Sequence, residues 1–230
     1  NFVYMQSSYR LIKIQILLGL LIVAASCSRS SECTEQINLL PMFGNSIKCP
    51  EQLAADIAFT HEMDMEFQGD RKKAVQDRLA RAWDYFNRNV EDTAMMRFNQ
   101  AWLLDSMNAD VYWGFGNLLG NNKKHQEALP LFKKSLRLNP ANPVVWASAG
   151  QAYGNSYMQT HDKKELDSCI YYFKRSYQLD ASHGGTCSKL TFAYLEAMQK
   201  DSAKKFQALT DKIDPQLLSL EIREKIKDLK

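Results

Sequence analysis

Excess charge is what this sequence has least of. Its 29 lysines and arginines stand against 26 aspartates and glutamates, a formal net charge of +3 over 230 residues. Two of those cations, Arg10 and Lys13, flank the start of an apolar run that reads as removable. Without them the balance is 27 − 26 = +1. A surface so nearly neutral carries no broad electrostatic footprint for nucleic acid. Long apolar runs are also missing. Ile14–Ala25 is about a dozen residues, preceded by Lys13 and broken near its start by Gln15, whereas a membrane span needs roughly 20. Histidine is scarce at four, and no two of them stand at metal-ligand spacing. "HEMDM" from His61 lacks the second histidine of a zinc-protease helix, having Met65 in its place. A set of Cys33, Cys49 and His61 matches no zinc spacing, so no metal is expected. No Ser-His-Asp set or G-x-S-x-G elbow occurs, and the chain reads as a non-enzyme with no cofactor.

The N-terminus is read first as a targeting segment. A positive start, an apolar stretch and small residues before a cut describe a secretory signal peptide over 1–26. In "LLGLLIVAASC" the cut would fall directly before Cys27. Here the sequence resembles a bacterial lipoprotein signal, departing from its usual form by Ala24 at the third position before the cysteine. The resemblance implies lipidation of Cys27, export, and membrane anchoring in the cell envelope, on the periplasmic or the surface side. A soluble secreted protein cut at the same bond is the alternative. Five cysteines is an odd number; setting Cys27 aside leaves an even set, in which Cys33 and Cys49 are candidates for a short bridge or for two free thiols. Residues 27–50, rich in Ser, Asn, Pro and Gly, read as a flexible tether. Over 51–74, Leu53, Ile57, Met63 and Phe67 share a helical face, predicting a helix that docks on the repeats beyond it.

From residue 75 onward one phrase is written several times. Ala94, Phe98, Ala101 and Leu104 recur as Ala128, Phe132, Ser135 and Leu138, each 34 residues on. Cys169, Phe173, Ser176 and Leu179 repeat the set again. A weaker copy has Ala203, Ile213 and Pro215, with Phe206 one place early. The helix before each copy recurs too: Tyr112-x-x-Phe115-Gly116-x-x-Leu119 aligns with Trp146-x-x-Ala149-Gly150-x-x-Tyr153. On these residues the chain resembles the tetratricopeptide repeat family, whose period is 34. The resemblance implies an all-α, right-handed α-solenoid of antiparallel helix pairs over 75–217, in units 75–108, 109–142, 143–183 and 184–217. Residues 218–230 form a capping helix. Repeat 3 is seven residues longer than 34, close to two helical turns, so either both helices lengthen by one turn or a loop protrudes. The first helix of repeat 1 carries Arg78 and Arg81 where apolar residues are usual.

"GFGNLLG" from Gly114 resembles a dinucleotide-binding glycine motif, but it falls inside a repeat helix instead of following a strand. The resemblance to the repeat family implies a protein or peptide partner in the concave face, lined by the first helix of each repeat. The candidate groove residues are Trp113, Asn117 and Asn121 from repeat 2, Gln151 and Asn155 from repeat 3, and Trp83 and Asn87 from repeat 1. Asn and Gln can donate to and accept from any peptide backbone. The competing reading is an ordinary solvated helix face, with the two tryptophans packed under the N-terminal helix. Trp113 and Ser148 occupy the places of a clamp lysine and asparagine, which argues against the carboxylate-binding subtype. A glycan-binding or nutrient-uptake accessory of the envelope is the alternative function.

Overall fold

The computed structural model describes residues 33–229. The signal segment 1–26 and Cys27 lie outside the described residues. Within them are ten α-helices and no strand. α1 is Pro50–Glu66. Four antiparallel pairs come next: α2 (Arg71–Asn87) with α3 (Glu91–Leu104), α4 (Ala109–Asn121) with α5 (His125–Leu138), α6 (Pro143–Thr160) with α7 (Lys163–Leu179), and α8 (Gly184–Glu196) with α9 (Lys200–Ile213). A 3-10 turn, Pro215–Leu217, leads to α10 (Leu220–Asp228). The pairs stack in sequence as the expected solenoid, and none of the described helices is long and apolar enough to cross a membrane.

All four hairpins open the same way, and three of them close the same way. The first helix of a pair opens on a side-chain cap: Asp70, Asn108, Asn142 or His183 accepts from a backbone N–H of the first turn. It closes on a residue in the left-handed region, Asn89, Lys123 or Met198, whose successor donates back across the turn. The three bonds, Val90 N to Tyr85 O, Lys124 N to Leu119 O and Gln199 N to Tyr194 O, are all 2.9 Å and satisfy carbonyls the helix leaves open. Repeat 3 breaks the pattern. His161 takes the left-handed turn and Asp162 caps α7 directly. Its helices run 18 and 17 residues against 13 and 14 in repeat 2, so the insertion is spent as an extra turn on each.

Close approach within the stack depends on missing side chains. A Cβ on Gly116 would sit 2.5 Å from Phe132, and one on Gly150 would sit 2.9 Å from Phe173. The tightest contact is between repeats, where a Cβ on Gly114 would lie 2.1 Å from Phe98. The recurring phenylalanine therefore fills the seam between helices, as its 34-residue spacing suggests. The buried side chains form two clusters meeting at α6, one from Met63 to Ala152 and one from Ala147 to Leu229. Arg78 is buried despite its charge and is ion-paired with Asp77, while Arg81 is exposed and reaches the same carboxylate.

The N-terminal part departs from expectation. Residues 34–49 are not a tether in this structure. They form two 3-10 turns, Ile37–Leu39 and Pro41–Asn45, packed on α3. Cys33 and Cys49 are bridged. Asn99, almost fully buried on α3, holds the loop: its Nδ2 donates to the carbonyls of Asn38 and Leu40 at 2.9 Å each, and its Oδ1 accepts from Phe43 N–H at 3.3 Å. Composition conceals this, because a loop fixed by backbone groups needs no apolar period. The predicted helix over 51–74 ends at Glu66, and residues 71–74 already belong to α2. Only its second half docks. Met63 is buried, whereas Leu53 and Ile57 are 50% and 69% exposed. The first half of α1 is instead held by the loop, through the Lys48–Asp56 ion pair and Gln52 donating to Thr34 O.

Candidate binding groove

The first helices α4, α6 and α8 line one side of the stack. Spacing of four along α4 puts Asn117 and Asn121 in one row, and spacing of four along α6 does the same for Gln151 and Asn155. These four residues line a cavity of about 260 Å³ that also takes in His125 and His183. It shares Gln151, Asn155 and Lys189 with a second cavity of about 370 Å³ between α6, α7, α8, the Pro215–Leu217 turn and the start of α10. Together they form one trough across repeats 2 to 4.

The amides are partly spent within the protein. Asn117 Nδ2 donates to the Trp113 carbonyl at 2.7 Å, leaving its Oδ1 free. Gln151 Nε2 donates to Asn155 Oδ1 at 2.8 Å, leaving the Gln151 oxygen and the Asn155 NH₂ for a guest. Unspent donors and acceptors thus both remain in the trough, which suits the donor and acceptor groups of a peptide main chain.

Trp83, Asn87 and Trp113 are not brought into the trough. Trp83 and Trp113 pack on each other, ring centres 4.4 Å apart, and Trp83 meets Phe98 edge-on at 5.2 Å. The Trp113 indole N–H donates to Ser148 Oγ at 3.0 Å. The pair therefore cements repeats 1 to 3. Asn87, at the end of α2, is exposed and borders neither cavity.

Lys189 is not legible in the sequence as a groove residue, because repeat 4 departs most from the repeat pattern. With Phe192 and Glu196 it occupies one face of α8 at spacings of three and four, and that is the one available signal. Its ammonium stands 5.8 Å from the centre of the Phe173 ring and enters no ion pair among the described residues. The side chain is exposed, yet the concave walls crowd it, and this loss of water lowers its pKa. Burial pushes the neighbouring Cys169 thiol up to about 12, so it stays protonated and is no nucleophile at neutral pH. Burial also lowers the pKa of His125. Cys33, Cys49 and Glu51 lie close enough together to suggest a metal set, but the two sulfurs are bonded to each other and are not available as thiolate ligands.

No protein-family model matches the sequence, and no curated protein matches it either. Solved structures do match in fold. TTC0263, a thermophilic TPR protein of Thermus thermophilus, superposes with a TM-score of 0.55 at 16% identity, over 67% of this chain and 80% of that one. MamA gives 0.54 at 16% identity, over 67% and 85%. YrrB, described as a TPR protein with an unusual peptide-binding site, gives 0.52 at 18% identity, over 70% and 92%. The fold is a tetratricopeptide-repeat solenoid.

Proposed function

We propose that this solenoid is a non-catalytic scaffold that seats an extended peptide segment of a partner protein in the trough of repeats 2 to 4. We infer further that it is exported and held at a bacterial envelope membrane by lipid on Cys27. The observation that carries the first reading is the row Asn117, Asn121, Gln151 and Asn155, whose remaining donors and acceptors face one continuous cavity system. The peptide-binding site ascribed to YrrB, on a similar stack of helices, supports it by analogy. Cys27 stands six residues before the bridged Cys33, so a lipid there would hold the repeat domain close to the bilayer surface.

Placing a photo-crosslinking amino acid at Asn121 or Asn155, and separately at Tyr171 outside the trough, tests the groove in intact cells. The expected result is a discrete protein adduct from the two trough positions only, lost when Gln151 is changed to Ala. Equal adducts from Tyr171, or none from the trough, would overturn the reading. Cys27→Ser is expected to abolish fatty-acid labelling and release the protein from membranes; labelling that persists refutes the anchor.

A further inference from the structure

Repeat 3 is the one unit longer than its neighbours, and the extra length falls beside the larger cavity. In the register that matches Tyr112 with Trp146, α4 ends opposite Asn155. Tyr157 and Met158 therefore stand on the added turn of α6, and both line the cavity of about 370 Å³. Leu166, at the foot of the lengthened α7, and Phe173 form its floor. Phe192 of α8 and Leu217 of the C-terminal turn complete the wall. Met158, Phe192 and Leu217 are 51%, 36% and 41% exposed, so the mouth is apolar and open. A volume of this order lies in the range of about 300–1,000 Å³ of clefts that hold ligands. Its polar lining includes Gln151 and Asn155, where the trough enters, Ser188 and Ser219, and Lys189 with no acidic partner among the described residues. Glu196, two turns further along α8, lines the same cavity and would repel an anion placed at its end of the wall.

We propose that the extension of repeat 3 builds a receptacle for a bulky apolar side chain of the bound segment, and that Lys189 at its rim selects a carboxylate beside that side chain. This rests on the trough reading above and adds what the occupant must look like. The receptacle removes an apolar side chain from water. The lysine supplies the charge that the neutral amides lack, at a place where water is already thinned by the walls. The carboxylate is that of an Asp or Glu side chain next to the apolar residue, an internal acidic group and not a chain terminus.

Fluorescein-labelled decapeptide pools test this by anisotropy against the full chain. Each pool fixes Leu, Phe or Ser at one position, followed by Asp, Asn or Lys, in a random Gly/Ser/Thr background. A further pool ends in Leu or Phe, as free acid or as amide. The pools with Leu–Asp and Phe–Asp are expected to bind at least about tenfold more tightly than those with Ser–Asp or Leu–Lys. Met158→Asp should erase the apolar preference, and Lys189→Gln the preference for Asp over Asn, with the thermal midpoint of both variants unchanged. A gain with the free acid alone, with no preference for Asp over Asn, would overturn the side-chain assignment. Pools that bind regardless of the fixed pair, yet lose affinity on Asn121→Ala with Gln151→Ala, would sink the receptacle and leave the trough standing. Binding indifferent to all four substitutions, or no binding by any pool, would sink both.

Discussion

Gly114 and Gly120 lie on the same helix and answer to different demands. Phe98 reaches across from repeat 1 and leaves no room for a Cβ on Gly114, while nothing lies within 4 Å of the place a Cβ on Gly120 would take. Gly114→Ala must therefore displace a fully buried ring, and a cost of about 1–3 kcal/mol is expected. Gly120→Ala meets no obstacle and gains helix propensity, so about 0.5–1 kcal/mol of added stability is expected. Denaturant unfolding of the two variants checks both signs in one experiment. The small residues at 116 and 150 are legible in the sequence, because they recur opposite a recurring phenylalanine. Gly114 gives no such signal, since its partner belongs to the previous repeat. The groove shows the same split. Asn117, Asn121, Gln151 and Asn155 follow from helical spacing once the resemblance to the repeat family names the face. Trp113 shares that face but is turned to Trp83 and Ser148, a choice fixed by neighbours 30 and 35 residues away.

At the level of elements, the regular hairpins are readable and the irregular segments are not. A period of 34 predicts where each helix pair lies, and seven extra residues allow either a loop or two added turns. Asp162 decides for the turns, because a side-chain cap lets α7 begin three residues after α6 ends. The loop 34–49 has no such signature. Met42, Phe43, Gly44 and Asn45 all adopt positive φ, a conformation costing non-glycine residues about 1–2 kcal/mol each. Asn99 and the Cys33–Cys49 bridge hold the segment there against that cost. Replacing both cysteines by serine removes the closure of a loop of 16 residues, and about 3 kcal/mol of local stability should go with it. Amides of residues 36–46 should then exchange with solvent faster, while those of α4 and α5 keep their protection. Unchanged exchange in the loop would mean that Asn99 alone suffices to hold it.

Over the whole molecule, the two buried clusters meeting at α6 divide the stack into halves that share one helix. A solenoid in which each unit touches only its neighbours need not unfold all at once. The C-terminal half is closed by α10, whose Ile226 is 1% exposed, with Leu229 just beyond it. Ile226→Ala is expected to cost about 2–5 kcal/mol, felt first as faster exchange in α8 and α9 with α2 to α4 still protected. Simultaneous loss of protection throughout would show a single cooperative unit instead. The solenoid and its cap are legible because repetition and an amphipathic end are written in the residues. The trough's larger cavity is not, because it exists only where α6, α7, α8, the C-terminal turn and α10 converge. The staple at the other end has a mechanical meaning. Its two Cα atoms are 5.2 Å apart, and Cys49 is also the residue from which α1 starts. Tension arriving through the chain before Cys33 crosses the sulfurs into that helix and leaves the loop slack. Drag on a protein tethered from this side would thus load α1 and its seat on repeat 1, while the strained turn between the two cysteines bears nothing.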